Sequence, residues 1–173
     1  MGLTMLITSV WHMLAFYALF TVLASWVSTC VHELGHALAV RLCGARVEKI
    51  RIGIGRSVGF RLFGVDCRLG LNSTAGYCHY EDVPGSDRGF LYRSIVIFLA
   101  GPLAEALVCG LTLWVAITYL RFEEAFAYLG GLIVMSAFGC VVNLLPLPER
   151  DGYYILSSVR ELLRTPQTKE AAV

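Results

Sequence analysis

The sequence predicts a membrane protein, mainly α-helical, with about three transmembrane helices and a small β-rich, membrane-associated insert between the first and the second. Three observations carry that expectation. Hydrophobic residues make up 57% of the 173-residue chain and charged residues 16%, against about a quarter charged in soluble domains, and mean hydropathy is +0.66. Three apolar segments each reach the roughly 20 residues that a helix needs to cross the hydrocarbon core. A soluble domain of this size could not enclose all three. The Lys and Arg residues, 14 in all, cluster outside those segments.

The first apolar segment, Met5 to Val31, carries no formal charge and runs directly into His32, so a helix is expected over about 5–41. Residues 3–41 as one straight helix are too long for a bilayer, which calls for a tilt, a kink or an interfacial N-terminal stretch. No basic region precedes the segment and no small-x-small cleavage site follows it, so it is expected to stay in the mature protein. From about 44 to 90 the chain is rich in Gly and Arg, and VEKIRI and VGFRLF alternate apolar with polar residues. That pattern suggests strands separated by glycine turns at the membrane surface. The Gly53-x-Gly55 pair lacks dinucleotide-binding spacing and reads as a turn.

A second apolar segment, about 94–120, is interrupted in charge only by Glu105; the third covers about 125–147. A loop and short helix follow at 148–164, and residues 165–173 read as a frayed tail. The whole of 1–173 reads as a single unit. Nine of the 14 basic residues lie between 41 and 93 and four more follow the third segment, whereas the 121–124 connection carries only Arg121. By the positive-inside rule the 41–93 region and the C-terminus are cytoplasmic, and the N-terminus is outside. The basic residues near position 46 flank a membrane helix, which fits anionic headgroups and no nucleic acid. Six cysteines form no CxxC pair. Cys109 and Cys140 sit in apolar runs as small buried hydrophobes.

The chemistry centres on VHELGHALAV, residues 31–40. His32 and His36 are four apart, so on a helix they share one face and can hold one metal. Glu33 stands beside His32, where it can exchange protons with a metal-activated water. Ionisable groups inside a membrane helix are costly without partners, so function is the default reading. Two histidines and a water leave one protein ligand open, and the candidates are Glu105 in the second segment and Asp151 after the third. Pro146 and Pro148 interrupt the helix before Asp151, and Gly152 permits a tight turn there. Spacing favours Asp151 without excluding Glu105.

Those residues resemble the site-2 protease family of intramembrane zinc metalloproteases, which pairs HExxH with an N-x-x-P-x-P-x-x-D-G stretch at the end of a later helix. Here the second motif is Asn143, Pro146, Pro148, Asp151 and Gly152. The resemblance implies one Zn2+ per chain held by His32, His36 and Asp151, with Glu33 as general base and Asn143 as a catalytic positioning group. Gly101 and Pro102 match the family's Gly-Pro pair, and the segment from Arg51 to Tyr80 resembles its β-rich segment. The chain departs from the family pattern in leaving only a handful of residues between the second and third helices, too few for a PDZ domain, so a compact member is expected, with an adaptor or self-association as candidate partners. The implied activity is endopeptidase cleavage in or near transmembrane segments. The implied substrates are membrane-tethered regulators or signal-peptide remnants, and the implied location is the bacterial cytoplasmic membrane. Relatives often carry Asn where this chain has Glu105, which marks that residue as an auxiliary group. The rival readings are a membrane scaffold with a structural metal and a zinc transporter. A scaffold has no need of Glu33, and transport would require acidic and histidine residues on several helices.

Overall fold

The computed structural model describes the backbone of residues 2–81, 83 and 87–164; the tail expected at 165–173 lies outside the described residues. Side chains are described for residues 10–81, 83, 88–121 and 129–164. The chain is mainly helical: α1 (Gly2–Leu42), β1 (Val47–Leu62), β2 (Val65–Tyr80), α2 (Asp87–Tyr119), α3 (Phe122–Leu144) and α4 (Asp151–Arg164). Helix α1 is uninterrupted over 41 residues, about 60 Å at the α-helical rise. That is twice the roughly 30 Å hydrocarbon thickness, so in a bilayer its length would be taken up by tilt or by a stretch outside. Among the described residues, Val10–Leu42 and Arg88–Tyr119 are long and apolar enough to cross a membrane; the described apolar part of α3, Leu129–Leu144, is shorter.

Helix α1 ends in a glycine cap. Gly44 adopts φ 85°, its N–H donates to the Arg41 carbonyl, and the Ala45 N–H reaches back to the Val40 carbonyl. This pair of bonds is the Schellman arrangement, and it requires a residue that tolerates the left-handed conformation. The chain then enters a two-stranded antiparallel sheet. Phe63 and Gly64, both at positive φ, form the two-residue turn between the strands, which matches their right-handed twist. The expected short strands are thus two strands of 16 residues each. Their register is bent around Gly53 and Gly55, so that residues 49–52 face 76–79 on one side and 66–69 on the other.

The base of the hairpin packs on the last turns of α1 and the start of α2. Ala37, Val40, Val47, Ile50, Val65 and Ile97 form a small apolar core there. Elsewhere the usual partition is inverted. Leu19, Leu38, Leu107, Ile117 and Phe138 are all exposed, while Ser28, His32, Glu33, His36, Glu105 and Ser136 are buried. An apolar exterior around a polar interior is what hydrocarbon solvent favours. The helices approach closely through small residues, as membrane helices do. A Cβ on Gly35 of α1 would lie 2.6 Å from the Ala100 carbonyl oxygen and 2.9 Å from the Ala104 Cβ of α2.

Replacing Gly35 with Val is therefore expected to force α1 and α2 apart, at a cost of about 1–3 kcal/mol. Thermal unfolding in detergent should show a lowered midpoint. Leu38→Ala, on the exposed face, should leave that midpoint within roughly 0.5 kcal/mol of the parent.

Candidate metal centre

Two helices position the donors. His32 and His36 lie one turn apart on α1, both buried, with their ring centroids 4.6 Å apart. The kinked exit of α3 returns the chain to them. The Arg150 N–H donates to the Leu147 carbonyl and the Tyr153 N–H to the Arg150 carbonyl, and α4 begins at Asp151. Gly152 allows that return: a Cβ there would fall on the Leu144 carbonyl and lie 2.6 Å from the Leu145 carbonyl oxygen.

The three side chains converge. His32 Nε2 is 3.1 Å from Asp151 Oδ2, and His36 Nε2 is 3.4 Å from Asp151 Oδ1. The two Nε2 atoms are 2.9 Å apart. Among the described residues these three form the group of His, Cys, Asp and Glu donors able to share an ion. Donors of a tetrahedral zinc site, with bonds of about 2.0–2.1 Å, lie roughly 3.3 Å from one another, and the three separations bracket that value.

Hydrogen bonding behind the rings decides what faces inward. His36 Nδ1 lies 2.7 Å from the Ile97 carbonyl oxygen, and His32 Nδ1 lies 3.0 Å from Glu105 Oε2. Both partners are acceptors, so each neutral ring carries its proton on Nδ1 and presents a bare lone pair at Nε2. Asp151 Oδ2 is buried and has no hydrogen bond of acceptable geometry. Three electron-pair donors thus meet with no proton between them, an arrangement that a shared cation stabilises.

Glu105 is excluded from this cluster by its side of the ring. Its carboxylate sits at His32 Nδ1, away from the shared point of the Nε2 atoms. The two acidic candidates left open by spacing therefore occupy different places, Asp151 among the donors and Glu105 behind one of them.

Glu33 lines the same cleft, of about 490 Å³, with Asn143, Arg150 and residues 74–78 of β2. It is 4% exposed, and its Oε2 has no hydrogen-bond partner. A Cβ on Gly76 would lie 2.6 Å from Glu33 Oε1, so the β2 backbone roofs the carboxylate. Cys78 of β2 also faces the cleft; burial, followed by the nearby Glu33, pushes its thiol up to about 12. Asn143 accepts from Arg150 Nη1 at 3.1 Å through Oδ1 and leaves Nδ2 3.4 Å from His32 Nδ1. Gly101 makes room for the histidines, since a Cβ there would lie 2.5 Å from His36 Nε2 and 2.8 Å from His32 Cε1. Pro102 follows within α2 and is fully buried. Pro146 and Pro148 lie in the turn between α3 and α4.

Sequence reasoning missed Ser28, Arg150 and the Ile97 carbonyl. Ser28 stands four residues before His32, so helical spacing alone could have placed it on the same face. Nothing in the sequence marks Arg150 or a backbone carbonyl.

The family model described as "Peptidase family M50" matches residues 19–126, well over half the chain, including the HExxH helix and Glu105 but not Asn143 or Asp151. The "Regulator of sigma E protease" of Haemophilus influenzae is 31% identical over 112 residues, 57% of this chain and 25% of the relative. A Vibrio cholerae protein named "Putative zinc metalloprotease" is 29% identical over 117 residues, 60% of this chain and 25% of the relative. The "Putative zinc metalloprotease Rip2" of Mycobacterium tuberculosis is 32% identical over 154 residues, covering 78% of this chain and 55% of that one. The chain thus spans about a quarter of the first two relatives and about half of the third.

Two outcomes are expected from this geometry. Gly101→Ala should lower the zinc recovered per chain, measured by elemental mass spectrometry, because the new methyl group collides with both imidazoles. Gly110→Ala, with open space at its Cβ, should not. Cys78, with a raised thiol pKa, should alkylate slowly at neutral pH, and its iodoacetamide rate should climb tenfold per pH unit up to about pH 12.

Proposed function

Because this chain belongs to peptidase family M50, the site-2 protease family, we propose that it is a zinc-dependent endopeptidase that hydrolyses peptide bonds in or near transmembrane segments. The observation that carries this reading is the convergence of His32, His36 and Asp151 beside a buried Glu33 whose Oε2 has no partner. His32, His36 and Asp151 would hold one Zn2+ per chain. When bound, zinc acidifies a water and polarises the carbonyl of the scissile peptide. Glu33 receives the proton of the attacking water and returns one to the leaving amine, a role that a group lacking any fixed partner can fill. Asn143, tethered by Arg150, keeps its amide N–H beside His32 for the substrate or the developing oxyanion.

The membrane setting of the reaction rests on the two long apolar helices, with α3 as a third crossing and its 23 residues spanning about 34 Å. The N-terminus lies outside and the 41–93 region and C-terminus are cytoplasmic, as the basic residues indicate, in a bacterial cytoplasmic membrane. Backbone carbonyls of an intact substrate helix are shielded by their own hydrogen bonds, so the substrate unwinds locally before cleavage. Residues 74–78 of β2 border the cleft, and strand pairing with an unwound segment would hold it there. Substrates of this kind are membrane-tethered regulators and signal-peptide remnants; the Haemophilus relative is named as a protease that regulates sigma E. An adaptor or a second copy would add selectivity.

The test compares membrane proteomes of the native host carrying the intact gene or Glu33→Gln, with zinc measured in both purified proteins. Equal zinc is expected, together with a full-length or once-cut membrane protein that accumulates only in the variant. Turnover of that species should fall at least about 100-fold, the size of a lost general base. Zinc in both proteins with identical proteomes would overturn the protease reading. Absence of zinc from both would overturn the metal centre.

A further inference from the structure

Glu105 occupies a position that a membrane helix fills with a carboxylate only at some cost, and both of its oxygens are used. Oε1 accepts from Ser28 Oγ at 2.8 Å, and Oε2 faces His32 Nδ1 at 3.0 Å. Ser28 and His32 are buried and one turn apart on α1, and Glu105 itself is 2% exposed. The third helix is bare where the carboxylate lies: a Cβ on Gly139 of α3 would come within 2.8 Å of Glu105 Cδ. Three helices therefore close on one side chain. Unlike Glu33, Glu105 has no unpartnered oxygen.

We propose that Glu105 is a positioning residue of the metal centre: its carboxylate holds the His32 ring in one orientation and in the Nδ1–H tautomer, and Ser28 and Gly139 lock the carboxylate in place. This rests on the reading of His32 as a metal ligand. The contrast with His36 gives the device its chemistry. His36 is held by a neutral backbone carbonyl, whereas His32 is held by a carboxylate, which strengthens the electron donation of its imidazole. A second consequence concerns Asn143. With the Nδ1 proton committed to Glu105, the Asn143 amide, 3.4 Å from that nitrogen, cannot donate to it.

The experiment uses the full chain in detergent, with zinc retention read against a graded series of chelator-buffered free zinc. The tautomer of His32 is read separately from side-chain 15N shifts of the metal-free protein. Glu105→Ala should weaken zinc binding roughly 10- to 100-fold and release His32 into mixed tautomers. Glu105→Gln keeps an oxygen acceptor of the same reach and should recover most of the affinity and the single tautomer. Gly139→Ala should reproduce the loss by displacing the carboxylate, yet cost nothing further when added to Glu105→Ala, since the clash is then gone. Wild-type affinity and a single His32 tautomer in Glu105→Ala would overturn the proposal, as would a Glu105→Gln protein no better than Glu105→Ala. If the parent chain itself fails to retain zinc while its His32 stays in the Nδ1–H form, the metal centre falls and the tautomer device stands.

Discussion

The site depends on where two imidazole protons point. Each ring has an acceptor behind it, the Ile97 carbonyl for His36 and the Glu105 carboxylate for His32. Once both Nδ1 atoms are committed, both Nε2 atoms must face each other and Asp151 without a proton to share. That cluster is electrostatically unfavourable alone and would be favourable around a shared cation.

Close approach is the means by which this interior is built. Polar groups inside an apolar bundle must find partners within the protein, and at a hydrogen-bond distance there is no room for intervening side chains. The glycines at 35, 76, 101, 139 and 152 each stand where a Cβ would strike a backbone carbonyl, a ligand ring or a carboxylate. They lie on α1, β2, α2, α3 and α4 respectively; those at 76, 101 and 139 make room for Glu33, the two histidines and Glu105, and those at 35 and 152 for backbone carbonyls at the helix contacts. Small residues therefore serve two ends here, helix packing and the fit of functional groups, and a single methyl group added at most of these points would disturb both.

Much of this was legible in the chain. The spacing of His32 and His36 placed both on one helical face, and the apolar runs anticipated helices at α2 and α3, although α2 begins at Asp87, seven residues before the expected 94. Other features were beyond local reading. Spacing favoured Asp151 without excluding Glu105, because both lie far from the histidines in sequence; the three-dimensional path through the Pro146–Gly152 turn shows that they meet His32 at opposite nitrogens. The hairpin was read as several short strands because glycine marks both turns and bends. At Gly53 and Gly55 it bends a strand that continues, and at Gly64 it ends one. The Ile97 acceptor is a main-chain atom and leaves no trace in side-chain patterns.

The two buried glutamates show how satisfaction separates support from chemistry. Glu105 has both oxygens bonded and lies on the far side of the His32 ring, where any movement would cost hydrogen bonds on α1. Glu33 is nearly as buried but keeps Oε2 unpartnered, toward a cleft large enough for a peptide segment. A buried acceptor left unbonded costs about 1–3 kcal/mol, and a structural site gains nothing from that cost. A reacting water and a substrate would supply the missing donors, so the penalty is relieved when the cleft is filled for hydrolysis. For a scaffold the same penalty would persist. For a transporter, Glu33 would need further acidic or histidine steps beyond it, and among the described residues the buried acids and histidines are already gathered at this one centre. The unsatisfied oxygen is therefore the feature of the interior that argues most directly for catalysis.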